Sequence, residues 1–92
     1  MKIKLIYYAQ VRRAAAMESE TVTAADGIGL AEAVRQAAER HGEAFRTLVL
    51  DDAGSIRPVV LVLLNGVPAT RGESRALRDG DEISMLSAVA GG

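Results

Sequence analysis

With 92 residues, 49% of them apolar, 11 Lys and Arg against 12 Asp and Glu, and no cysteine, the chain is long enough for one small domain with one modest core. The formal charge is +1 over residues 1–46 (seven basic, six acidic) and −2 over 47–92 (four basic, six acidic), so neither half supplies the basic field that a phosphate backbone demands. Absent cysteine excludes disulfides, thiolate metal centres and thiol nucleophiles, and is compatible with a reducing, cytoplasmic setting, which is the expected location.

The first apolar stretch lasts only from Leu5 to Ala9 before Gln10 and Arg12 interrupt it, too short for a signal peptide or a membrane span. Neither nucleic acid nor membrane is an expected partner. Ile3, Leu5 and Tyr7 alternate with Lys2, Lys4, Ile6 and Tyr8, which predicts a first strand. Gln10 to Met17, rich in alanine, predicts a short helical turn, and Glu18 to Thr23 a polar strand that forms a hairpin with the first. From Leu30 the period changes. Leu30, Val34, Ala37, Ala38 and His41 share one helical face, and Gly42 ends the helix as a C-cap does. Residues 43–50 predict a second short helical turn and Asp51 to Ser55 a loop.

Val59 to Leu64 is an unbroken apolar run read as a buried central strand, closed by the turn pair Asn65-Gly66. Together with Ile6 and Tyr8 it is expected to be core on both faces; the alternative is an apolar patch that one face leaves for a partner. A last strand, Glu82 to Leu86, follows the turn at Asp79-Gly80. The order strand, strand, helix, strand, strand predicts an α+β, β-grasp (ubiquitin-like) fold. Its mixed four- to five-stranded sheet carries one main helix, with the first and last strands as central neighbours. Residues 1–86 form the domain and 87–92 a flexible tail.

Most candidate motifs have a plain structural explanation. Gly27-Ile28-Gly29 sits where a dinucleotide fingerprint would, but the third glycine position is Glu32, whose charge repels a pyrophosphate, so it marks only the start of a helix. Asp79-Gly80-Asp81-Glu82 lacks the alternating ligands and distal glutamate of a calcium loop and reads as a turn. His41, the only histidine, reads as a packed residue rather than a metal ligand, and no nucleophile elbow accompanies it. Neither a metal site nor a catalytic residue is expected.

The C-terminus is different. Two glycines at the last two places arise by chance in about one chain in two hundred. Here Gly91-Gly92 follow a strand through small or unbranched residues, and glycine's missing Cβ lets other groups approach its carbonyl closely. The Gly92 carboxylate is an anion at neutral pH and a poor electrophile until activated, for example as a mixed anhydride with AMP. Another protein must supply that chemistry.

Four segments carry a resemblance: Tyr7-Tyr8-Ala9-Gln10-Val11-Arg12, Asn65-Gly66, Asp79-Gly80-Asp81-Glu82-Ile83 and Val89-Ala90-Gly91-Gly92. Across essentially its whole length the chain resembles the ubiquitin-like sulfur-carrier family, above all its molybdopterin synthase small-subunit branch. The resemblance implies a non-catalytic carrier that binds no cofactor itself. Gly92 would be adenylated by a ubiquitin-activating-like enzyme that uses ATP, and then converted to a thiocarboxylate. The tail of Val89, Ala90 and Gly91 would enter the large subunit of molybdopterin synthase, delivering sulfur for the molybdenum cofactor. It also implies that Tyr8 and Leu86 present apolar side chains to these partners, with Arg12 nearby. Two departures bear on the pathway. Ser87-Ala88 stand where that branch usually has prolines. The stretch from Leu48 to Pro58 looks more like relatives that serve cysteine or thiamin biosynthesis or act as modifiers conjugated to lysines.

Overall fold

The computed structural model describes residues 1–69 and 75–87. In chain order the elements are β1 (Lys2–Tyr8), α1 (Ala9–Ala15), β2 (Ser19–Thr23), α2 (Leu30–His41), α3 (Glu43–Val49), β3 (Val60–Leu64), β4 (Val67–Pro68) and β5 (Glu82–Ser87). The strands form one sheet in the order β2-β1-β5-β3-β4. β1 and β5 run parallel at its centre, and the other pairs are antiparallel. This is the β-grasp arrangement, with the first and last strands as neighbours.

Alternation decides which side of the sheet is covered. Ile3, Leu5 and Tyr7 of β1, Ile83 and Met85 of β5, and Val60 and Val62 of β3 all point into one core. The helices complete that core with Val11 and Ala15 of α1, Leu30, Ala33, Val34, Ala37 and Ala38 of α2, and Phe45 and Val49 of α3. The intervening residues face the other way. Tyr8 and Leu61 are each 43% exposed, and Leu86 is 36% exposed. The expectation that Ile6, Tyr8 and the 59–64 run are core on both faces is therefore corrected. The helices supply a single covering layer, so alternate residues of the apolar run have nothing to pack against, and Val59 lies in a turn outside the strand.

Local differences have local causes. β1 and β2 pair antiparallel as expected, with Ile3 opposite Val22 and Leu5 opposite Glu20, and the predicted helical turn between them is the two-turn helix α1. That helix stops two residues before the predicted Met17, because Ala16 turns into the left-handed region (φ 61) and its N–H returns to the Arg12 and Arg13 carbonyls. Gly42, at φ 95 and ψ −170, joins α2 to α3 in a conformation open to glycine and few others. β5 continues one residue beyond the predicted strand end, to Ser87, which is buried and opposite Val60.

Asp81 is the polar anchor of this scaffold. Although buried, its carboxylate accepts hydrogen bonds from Asn65 Nδ2 (2.9 Å) and the Arg78 N–H (2.8 Å), and pairs with Arg75 (3.1 Å). Asn65 completes the brace by accepting the Glu82 N–H at 2.8 Å. The two turn motifs of the sequence, Asn65-Gly66 and Asp79-Gly80-Asp81-Glu82, are thus one hydrogen-bonded unit that sets β5 against β3. Burial alone would raise the Asp81 carboxyl, but the bonds from Asn65 and Arg78 and the charge of Arg75 outweigh it and hold it below the usual range.

Candidate functional site

The outward face of the central strands presents ordered rows. Register places Tyr8 beside Leu86, and Leu86 beside Leu61, giving one apolar row across β1, β5 and β3. The next row is Ile6, Ser84, Leu63 and Pro68, and beyond it Lys4 lies opposite Glu82 as a charged rim. Ser84 is small beside its cross-strand neighbour Leu63, and both line a depression in this face. This open groove, about 220 Å³, is lined by Tyr8, Leu61, Leu63, Ser84, Met85 and Leu86. Apolar side chains clustered on a surface with a polar border are a docking surface in physical terms, because water leaves them at a gain of about 25 cal/mol per Å².

Tyr8 and Leu86, singled out from the sequence, are brought together here as direct cross-strand neighbours. Arg12 sits on α1, which follows Tyr8 without a break, but it does not line the groove; its guanidinium makes an exposed pair with Glu18 at 3.5 Å. Val89, Ala90, Gly91 and Gly92 lie outside the described residues. Leu61, Leu63, Ser84 and Met85 complete the groove; Leu61 and Leu63 belong to the apolar run whose alternative reading was a patch left for a partner, whereas Ser84 and Met85 were not singled out. The signal was available: one helical layer can cover one sheet face, so every second residue of a six-residue apolar run must face outward.

The rejected motifs have structural roles. Gly29 is the N-cap of α2, and the Leu77 N–H donates to the Ile28 carbonyl at 2.8 Å, which ties the start of the helix to the segment before β5. Among the described residues no group of three His, Asp or Glu could hold a metal ion. No helix among them is long and apolar enough to cross a membrane.

A family model described as the ThiS family matches residues 5–92, all but the first four residues of the chain and including Gly91-Gly92. The chain belongs to the ThiS family. Solved structures share its fold. SAMP1 from Haloferax volcanii is similar at 23% identity and a TM-score of 0.85, over 100% of both chains. Urm1 from Trypanosoma brucei is similar at 25% identity and a TM-score of 0.79, over 99% of this chain and 95% of that one. A chain in the complex of subunits 1 and 2 of the molybdopterin-converting factor from Helicobacter pylori is similar at 21% identity and a TM-score of 0.61, over 100% of both chains. No curated protein sequence matches. The ThiS-family protein thus has a small ubiquitin-like fold, and its groove lies on the sheet face opposite the helices.

Proposed function

We propose that this ThiS-family protein is a sulfur carrier that works as the small subunit of molybdopterin synthase. The observation that carries the reading is the groove around Tyr8 and Leu86 at the end of β5, in a chain whose family match runs through Gly91-Gly92. Gly92 follows Ser87 by five residues, a length that spans at most about 18 Å when extended. A partner docked on the groove can therefore hold its own reactive centre within reach of the Gly92 carboxyl.

The chemistry belongs to that carboxyl and to the partners. A Gly92 carboxylate oxygen attacks the α-phosphorus of ATP in the activating enzyme and pyrophosphate leaves. Sulfide then attacks the acyl carbon and AMP leaves with the bonding electrons, which produces the thiocarboxylate. The large synthase subunit next receives the tail and the sulfur. The Helicobacter pylori similarity, to a chain from a two-subunit molybdopterin-converting complex, supports this partner class. Removing Gly92 leaves the described core untouched and abolishes thiocarboxylate formation, read as the mass gain of one oxygen-to-sulfur exchange on the intact protein. Continued formation of the thiocarboxylate by the shortened chain would refute the reading.

A second reading has specific support, because proteins of similar fold include small archaeal modifier proteins. In that case the activated Gly92 is joined to lysines of other proteins, and adducts of higher mass survive a reducing, denaturing gel. The chain's own lysines are Lys2 and Lys4 alone, which disfavours long self-linked polymers.

A further inference from the structure

On the sheet face opposite the groove, one carboxylate oxygen gathers groups from two other elements. Glu20 Oε2, on the edge strand β2, accepts the Tyr7 hydroxyl of β1 and contacts His41 Nε2 at the C-terminal end of α2. Arg40 of α2 reaches the same oxygen at 3.4 Å. The rings of Tyr7, His41 and Phe45 pack around these contacts with centroids 5.3 to 5.5 Å apart, and Tyr7 and Phe45 are fully buried.

β2 has little else to hold it. None of its five residues is buried; only Glu20 and Val22 are half-buried. Its other attachments are the ladder to β1, the exposed bond from Lys2 Nζ to Thr23 Oγ1 (2.7 Å), and bonds at its flanks, among them Tyr7 N–H to the Glu18 carbonyl (2.8 Å) and Ala24 N–H to the Met1 carbonyl (2.9 Å). An edge strand with so little apolar burial opens more readily than the centre of its sheet. A carboxylate that joins it to both β1 and α2 therefore carries a large share of its local stability.

We propose that Tyr7, Glu20 and His41 form a proton-operated clasp that holds the edge strand β2 to β1 and to the end of α2, and that protonating Glu20 opens it locally. The groups facing Glu20 are Tyr7 from β1 and Arg40 and His41 from α2, while α3 contributes the uncharged Phe45 behind the histidine ring. On the strand's other flank Glu18 is engaged by Arg12 of α1. Burial works against the Glu20 charge, but the bonds from Tyr7 and His41 and the charges of Arg40 and His41 together hold its carboxyl below the ordinary range. The sign follows: the clasp is complete above the ordinary glutamate range and fails as pH falls through the lower folded value. With β2 released, the hydrogen-bonding edge of β1 becomes available to another strand.

The test is amide hydrogen exchange of the full chain by NMR at pH 7 and pH 3, expressed as protection relative to intrinsic exchange at each pH. In the wild type, protection in Ser19–Thr23 should fall about tenfold more than protection in α3 on going to pH 3, the equivalent of one lost charge-assisted hydrogen bond. Glu20→Gln should show that β2 loss already at pH 7 and little further pH dependence. Tyr7→Phe, which keeps the ring and removes one bond to the carboxylate, should give a smaller β2 loss and retain the pH response; it carries the comparison if Glu20→Gln does not fold. Unchanged β2 protection in both variants, equal losses in β2 and α3, or a wild-type β2 that is indifferent to acid would each overturn the proposal.

Discussion

Replacing Asp81 with alanine tests how the sheet is held in register. The substitution removes the acceptor of Asn65 Nδ2 at 2.9 Å and of the Arg78 N–H at 2.8 Å, and frees Arg75 from its pair at 3.1 Å. Hydrogen bonds to a charged group contribute about 1.5 to 3 kcal/mol each, discounted here to about 1 kcal/mol apiece because the turn borders solvent. The partly exposed Arg75 pair adds about 0.5 kcal/mol. The expected loss is about 2.5 kcal/mol, a large part of the roughly 5 to 14 kcal/mol available to a chain of this length. At about 4 to 8 °C per kcal/mol, Tm should fall by roughly 10 to 20 °C at pH 7 in a calorimetric or circular dichroism melt. The Asp81 carboxyl is held below its ordinary range in the fold, so its contribution is present above the unfolded value near 3.9 and lost as pH falls through the folded one. The gap between wild type and Asp81→Ala should therefore narrow as pH falls below about 4. A Tm drop under about 3 °C at pH 7, or a gap that stays constant into acid, would refute the claim that this carboxylate braces the two turns.

Two further outcomes follow from the geometry. Gly42→Ala meets no atom within 4 Å of the new Cβ, so its cost is purely conformational. At φ 95 and ψ −170 it should amount to about 1 to 3 kcal/mol, seen as a lower urea midpoint at constant m value, and an unchanged midpoint would contradict the assigned backbone. Leu86→Asp places a charge in an exposed groove and should leave Tm within a few degrees. It should weaken binding to the proposed partner, the large synthase subunit, at least about 100-fold by calorimetric titration, since a buried unpaired charge at the centre of an interface is costly; wild-type affinity would exclude the groove as the contact.

Periodicity made the inward face legible. The alternation of Ile3, Leu5 and Tyr7, the helical spacing of Leu30, Val34, Ala37 and Ala38, and the turn pairs Asn65-Gly66 and Asp79-Gly80 are local signals, and each appears in the structure where the residues indicate. Uniform apolarity concealed the outward face. Leu61 and Leu63 differ from Val60 and Val62 in nothing that hydrophobicity records, and only the position of the helices determines which pair is covered. The two-residue β4 was also invisible, because Val67-Pro68 makes sense as a strand only beside Leu63 and Leu64.

The sequence by itself determined the β-grasp class, the core-facing residues of β1 and α2, and the family to which the chain belongs, because these depend on local patterns and on residue identities at fixed spacing. Only the tertiary structure decided that Tyr8, Leu86, Leu61 and Ser84 make one groove, that Asp81 and Asn65 brace two distant turns as a unit, and that Glu20 joins Tyr7 to His41. Each of these joins residues 13 or more positions apart in the chain. Strand register and helix placement bring them together, and no local pattern records either.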